Sequence, residues 1–310
     1  MLSRFLKLLR PRGPVRLTES VSIGMAAHGN SATTRQALEA LFASATGNFE
    51  LILVDDKSPD DTLDVYFEAR KWHANTRIYS FTRNLEYCES VNAILSHASG
   101  GRIIFLSNDI LAAPAYLRRI LAAAAANPDC GIVRGCSNFV DNRSAAHNVP
   151  IGSCETREAY FDIADEIAVR HRDSPLLDDR FLVGDAFLVS RALIHRIGTF
   201  DTRFLGYYGD VDFSLRARIA GFRTVLDRSA FAYHMQDANF AYLPEDERAR
   251  KLARRYERLG AALGEFVHKY GIALTQASVH DLPLEELAGA TFDPALHYVA
   301  PRDYSQYLLR

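Results

Sequence analysis

Two short unbroken apolar runs, Leu51-Ile52-Leu53-Val54 and Ile103-Ile104-Phe105-Leu106, set the pattern of this chain. Each is too short for a helix and reads as a strand buried on both faces. Each also stops abruptly in polar residues, the first at Asp55-Asp56 and the second at Ser107-Asn108-Asp109. Open α/β sheets bind ligands at the carboxyl ends of central strands. Two strands of this design predict a site that holds a cation, a ribose or both.

Around these runs the chain alternates strand and helix. Val21 to Ala26 reads as the first strand, closing in His28-Gly29-Asn30-Ser31, and a helix follows from Thr34 to about Ala45. The loop after Asp56 leads into a helix ending near Trp72, with Asp60 or Asp61 as its N-cap. A strand from Arg77 to Phe81 runs into Thr82-Arg83-Asn84, and a helix to about Ala98 precedes the run ending at Asp109. This rhythm predicts an α/β fold, a Rossmann-related, mostly parallel sheet flanked by helices. Further on, the pattern predicts helices over Tyr116–Ala126, Glu155–Arg170 and Arg191–Ile197, and strands over Cys130–Arg134, Phe181–Val189 and Thr224–Leu226. His171 to Arg180 reads as a loop. An Arg-bearing helix follows Tyr207-Tyr208-Gly209-Asp210 and ends at Ala220-Gly221.

Both ends of the chain carry basic, amphipathic patterns. Leu2, Phe5, Leu6 and Leu9 recur at helical spacing among Arg4, Lys7, Arg10 and Arg12. Such a segment lies flat on an anionic membrane surface, or else docks on the protein or trails free. Pro244 opens a C-terminal helix running to about Tyr270, with an apolar stripe at Leu252, Tyr256, Leu259, Leu263 and Phe266. Arg248, Arg250, Lys251, Arg254, Arg255 and Arg258 line much of the rest. This helix packs on the core with a solvated basic face, or meets lipid phosphates, an anionic acceptor or a second subunit in a homodimer.

Composition narrows the class. The chain has 310 residues, 36 Lys plus Arg against 38 Asp plus Glu, and a net charge of −2, which gives no support to nucleic-acid binding. Cys88, Cys130, Cys136 and Cys154 lack metal-binding spacing and read as reduced thiols of a cytoplasmic protein. No apolar run approaches the roughly 20 residues that span a bilayer. Cytoplasmic residence, with contact at the inner face of the membrane, is the expectation.

Residues 20 to 236 resemble the inverting glycosyltransferases of family two, which have the GT-A fold. Phe49 to Thr62 (FELILVDDKSPDDT) resembles the family's nucleotide-binding strand and turn, and Phe105 to Asp109 the strand ending in its D-x-D metal motif. Tyr208 to Phe222 (YYGDVDFSLRARIAGF from Tyr207) resembles its E-D motif and helix, and His234 stands where many members carry a late metal-binding His. Two positions depart from the pattern: Ser107 replaces the first D-x-D acid, and Gly209 the Glu before the catalytic Asp. The resemblance divides the chain into a basic segment (1–17), a catalytic domain (18–236, with a nucleotide-sugar half to 110 and an acceptor half beyond) and a helical extension (237–310).

It also implies a site. Ala26, His28, Asn30, Asp55, Asp56, Arg83, Asn84 and Asn108 would face the nucleotide-sugar donor. Asp185, Tyr208 and Asp212 would face a saccharide or lipid-linked acceptor. Asp109 and His234 would hold Mn²⁺ or Mg²⁺, the imidazole favouring Mn²⁺. Asp210 would be the base that takes the acceptor's proton, in a single displacement that inverts the anomeric centre. A sugar nucleotidyltransferase is the nearest rival, but His28-Gly29-Asn30 lacks the Gly-rich basic loop it needs. A non-catalytic relative that binds nucleotide sugar or glycan is the other.

Overall fold

The computed structural model describes residues 13–140, 146–151, 156–235, 244–273 and 279–310. The amphipathic segment at residues 1–12 and Cys154 lie outside them. The N-terminal half of the sheet is built as the apolar pattern requires. Strands β1 (Val21–Ala27), β2 (Glu50–Asp55) and β3 (Thr76–Ser80) alternate with helices α1 (Ser31–Ser44), α2 (Thr62–Trp72) and α3 (Glu86–His97). Strand β4 (Arg102–Ser107) closes this half. The period-two geometry of a strand sends neighbouring side chains to opposite faces. Leu51, Leu53, Ile104 and Leu106 accordingly enter one core with α1 and α2, while Ile52, Val54, Ile103 and Phe105 enter a second core with α3. Packing on the second face is close, since a Cβ on Gly24 of β1 would lie 2.2 Å from a methyl of Ile94.

Beyond β4 come β5 (Ile110–Ala112), α4 (Pro114–Ala126), β6 (Cys130–Ser137), α5 (Arg157–Arg170), β7 (Ala186–Ser190), α6 (Arg191–Ile197), α7 (Gly209–Ile219) and β8 (Arg223–His234). The sheet has ten strands among the described residues, in the order β9-β3-β2-β1-β4-β7-β6-β8-β5, where β9 is Leu308–Leu309 and Leu177–Asp178 adds to β8. Pairing is parallel from β3 to β4, as expected. It is mixed beyond, because β7 runs antiparallel to both β4 and β6. Between β6 and β7 the chain passes through α5 and the Leu177–Asp178 pairing near the start of β8, and it then enters β7 at Ala186, opposite Leu106 at the carboxyl end of β4.

The predicted strand over Phe181–Val189 is shorter than its apolar pattern suggests. Regular pairing begins only at Ala186, and side chains take up the carbonyls before it. Arg134 donates to Val183 O and the Tyr87 hydroxyl to Gly184 O. The predicted core strand at Thr224–Leu226 instead runs on to His234, with a register shift between Asp227 and Phe231.

The C-terminal helix α8 (Glu245–Tyr270) turns Ala262, Leu263 and Phe266 into the second core, and its last turn carries Lys269. The chain then returns across the molecule, and β9 pairs antiparallel with β3. No helix among the described residues is long and apolar enough to cross a membrane.

Candidate active site

The topology gathers chemistry at one edge. There β1, β2, β4, β6 and β8 end, while β7 and helix α7 begin. On the β2 side, Asp55 and Asp56 are both buried at the strand's end. Asp55 accepts from Ser58 N (3.0 Å) and the Ser80 hydroxyl (3.0 Å). Asp56 accepts from Leu85 N (2.6 Å) and Glu86 N (2.9 Å), and burial still pushes its carboxyl above the usual range. Both acids therefore shape the loops around them.

Those loops lock together. His28 Nδ1 bonds Asp56 O at 2.7 Å, Ser58 accepts from Gly29 N, and Asp60 accepts from Ser31 N. The last bond explains the capping outcome: Asp60 also accepts from Thr62 N at 3.2 Å, whereas the Asp61 side chain makes no cap bond. Asn30 adopts a left-handed backbone (φ 64°) before α1. Asn108 reaches back from β4 and donates to Gly29 O (3.1 Å) and the Thr34 hydroxyl (2.9 Å). Ala26 is partly buried beneath this loop pair, and Arg83 and Asn84 are exposed at its rim.

The second group sits where β4, β5 and β8 meet. Asp109 Oδ2 lies 3.2 Å from His234 Nε2, each side chain being 18% exposed. Pairing of His234 with Ile110, and the Met235 N bond to Asp109 O (2.9 Å), set this approach. Asn138 clamps the His234 backbone by accepting from its N–H (2.7 Å) and donating to its carbonyl (3.0 Å). The ring's Nδ1–H donates to Phe139 O at 3.1 Å, which leaves Nε2 turned to Asp109. Burial alone lowers an imidazole pKa, but the carboxylates of Asp109 and Asp185 outweigh it and hold His234 at about 9.

The third group centres on Gly184-Asp185, at the entrance to β7. Gly184 N donates to Asp210 Oδ2 at 3.0 Å, and Val211 N to Asp210 Oδ1 at 2.9 Å. Burial, helped by the charge of Asp185, pushes the Asp210 carboxyl up to about 6 despite these bonds. Asp185 O accepts from Ser107 N at 2.8 Å, so Asp185 stands across the ladder from Ser107. A side chain on Gly184 is excluded, because its Cβ would fall 2.1 Å from the Tyr87 hydroxyl.

The three residues expected at the acceptor are held in contacts within the protein. Asp212 is fully buried, bonded to Arg216 Nε (2.7 Å), the Tyr270 hydroxyl (2.8 Å) and Lys269, and so is part of the anchorage of α8. Tyr208 is buried with its ring 6.0 Å from that of Phe266, and its left-handed backbone (φ 61°) begins α7. One-turn spacing along α7 explains both: it turns Asp210 to the sheet edge and the neighbouring positions to α8. Asp185 is also nearly buried, facing Arg134 and His234. Gly209 has no room for a Glu, since its Cβ would already lie 2.5 Å from Cys88 Sγ. Sequence reasoning missed Arg134, Tyr87 and Gly184; the visible signal was a lone Arg inside the apolar strand Cys130–Ser137.

Among the described residues, no group of three or more His, Cys, Asp or Glu is arranged to hold a metal ion. Asp109 and His234 nevertheless suit a hard to borderline divalent cation: one carboxylate oxygen and one imidazole nitrogen face each other, with the other ring nitrogen tied to a carbonyl.

A profile of glycosyl transferase family 2 matches residues 22–198. Validoxylamine A glucosyltransferase of Streptomyces hygroscopicus subsp. jinggangensis is 28% identical over 214 residues, covering 61% of this chain and 48% of that protein. The uncharacterized protein y4gI of Sinorhizobium fredii is 25% identical over 250 residues, 79% of this chain and 27% of that protein. The chain thus spans less than half the length of these curated relatives. Among solved structures, the mannosyltransferase PcManGT of Pyrobaculum calidifontis, seen with GDP-Man and Mn²⁺, superposes with a TM-score of 0.57 at 16% identity, over 92% of this chain and 73% of that one. Residues 1–349 of S. aureus TarS with UDP-GlcNAc give a TM-score of 0.53 at 17% identity, over 86% and 69%. At such identities the likeness is one of fold, and that fold is the GT-A type.

Proposed function

The chain belongs to glycosyl transferase family 2, and on that premise we propose that it moves a sugar from a nucleotide-diphosphate sugar to a hydroxyl of a saccharide or lipid-linked acceptor, with inversion. The observation that carries this reading is the Gly184-Asp185 dipeptide. Its amide holds Asp210, and its carboxylate lies 4.0 Å from His234 Nδ1. In this reading Asp210 as proton acceptor and the Asp109–His234 pair as cation ligands stand on two sides of one short segment.

In this reading Asp109 and His234 hold Mn²⁺ or Mg²⁺. Such a cation, when bound, neutralises the charge that grows on the departing diphosphate. The interlocked loops at His28–Asn30 and Asp55–Asp60 shape the wall against which the nucleotide lies, and Asn108 fixes their separation from β4. Arg83 and Asn84, exposed at the rim, are the candidates for phosphate contact. Asp210 takes the proton of the attacking hydroxyl. Its carboxyl, raised to about 6, is ionised at neutral pH yet basic enough for the task. Attack from the base's side and departure on the other invert the anomeric centre. The acceptor belongs to cell-surface glycan synthesis, by analogy with the family's polysaccharide enzymes.

The test begins with thermal stabilisation by a panel of nucleotide sugars in Mn²⁺, since a ligand that binds the native state raises its melting temperature. The stabilising donor is then used with Asp109→Ala. The expected result is weaker donor turnover in Mn²⁺, with the difference from the parent vanishing in chelator. Equal turnover in Mn²⁺ removes Asp109 from the metal site, and a product that retains the donor's configuration rules out the single displacement.

A further inference from the structure

Arg134 is 1% exposed, an unusual place for a guanidinium. It donates through Nη2 to Asp185 Oδ1 at 2.9 Å, through Nη1 to Val183 O at 3.3 Å and through Nε to Gly135 O at 3.0 Å. Ala186 N also donates to Asp185 Oδ1, at 2.8 Å. All of these bonds that reach the carboxylate fall on one oxygen. Oδ2 is buried with no hydrogen-bond partner, 4.0 Å from His234 Nδ1.

A buried pair of this kind gains little over apolar residues of the same volume. Leaving one carboxylate oxygen buried and unpartnered adds a cost. Stability alone therefore gives no reason for either residue. The direction of Oδ2 does, because it faces the ring nitrogen that points away from Asp109. We propose that Asp185, clamped by Arg134, is a positioning residue that orients His234 and strengthens its Nε2 as a donor to the divalent cation. The inference rests on the metal reading given above.

The division of labour follows from the geometry. Phe139 O accepts from Nδ1–H, so in the neutral ring that binds a cation the lone pair falls on Nε2. The Asp185 charge behind that N–H pulls positive character toward Nδ1 and makes Nε2 a better ligand, as outer carboxylates do at histidine metal sites. Arg134 keeps this carboxylate from swinging into the open site. Because Gly184 is the neighbouring residue and holds Asp210, the same clamp sets the base and the imidazole at a constant separation.

The experiment titrates Mn²⁺ into the full chain in the presence of uridine diphosphate or guanosine diphosphate, reading free Mn²⁺ by electron paramagnetic resonance. Asp185→Asn keeps the shape and removes the charge. It should weaken Mn²⁺ binding by about 10-fold or more, the usual effect of losing an outer partner, and its transfer rate should recover at saturating Mn²⁺. Should that variant fail to fold, Arg134→Gln/Asp185→Asn leaves no buried charge unpaired and is expected to show the same loss. Asp109→Asn serves as the reference. If it weakens Mn²⁺ binding while Asp185→Asn does not, the inference fails and the metal reading stands. No loss in either variant overturns both. A raised acceptor KM in Asp185→Asn with Mn²⁺ affinity unchanged would also sink the inference, since Asp185 would then touch acceptor.

Discussion

At the scale of single residues, Asp210 carries the sharpest expectations. It accepts two backbone N–H bonds, so Asp210→Asn keeps its size and part of its bonding but loses the ability to take a proton. The transfer rate should fall by about 10²–10⁴-fold, the usual loss for a positioned base, while donor affinity barely moves. A folded variant with near-parental rate would remove Asp210 from the mechanism. Its raised carboxyl also has a pH signature. A base must be ionised, so activity should climb as pH rises through about 6 and then level. Stability runs the other way. A carboxyl that binds its proton more tightly folded than unfolded contributes stability that is full below its ordinary range and is lost as pH rises through about 6. The melting temperature of Asp210→Asn relative to the parent should therefore shift in the parent's favour as pH falls through 6.

At the scale of elements, α7 and α8 are joined by a buried ionic network. Lys269 Nζ lies 3.0 Å from Asp201 Oδ2 and also pairs with Asp212, which is held in turn by Arg216 and Tyr270. The Lys269 side chain is fully buried in this setting. Lys269→Met removes one cation from two buried acids, and breaking such a network costs about 3–5 kcal/mol. Chemical denaturation should show that loss at neutral pH, with donor affinity retained in the folded fraction. A loss below about 1 kcal/mol would mean that α8 is not anchored through this network. The same arrangement explains why Asp212 could be mistaken for an acceptor contact. It is two residues from Asp210 on one helix, and only the helical turn separates a carboxylate facing the site from one facing α8.

At the scale of the whole molecule, the described residues leave an exposed apolar stripe beside basic side chains. Leu252 is 40% exposed and Tyr256 64%, on the half of α8 that projects beyond the core. The amphipathic pattern of residues 1–12 is the other candidate for contact with anionic lipid. Removing residues 1–12 should reduce binding to anionic liposomes, most clearly at low salt where charge attraction is least screened. Activity on a soluble acceptor should persist. Unchanged liposome binding would shift the contact to the basic half of α8.

Much of this architecture was legible in the chain before any coordinates. Unbroken apolar runs ending in acids placed β2 and β4, their helices and the ligand edge, because burial on two faces leaves a pattern that few other elements share. Asp109, His234 and Asp210 were singled out by position within recognisable motifs, and the fold does bring them to one edge. Other features depended on contacts between residues distant in sequence. Entry of β7 from the carboxyl edge makes the sheet mixed and sets Asp185 across from Ser107, an outcome of chain routing that no local pattern encodes. Arg134 meets Asp185 across 51 residues, and Tyr87 meets Gly184 across 97. Local composition records that a residue is polar or apolar, so it marked the lone Arg in a buried strand without naming its partner. Which carboxylate faces a ligand and which faces a lysine is settled by helix phase and packing against α8, and those exist only once the chain has folded.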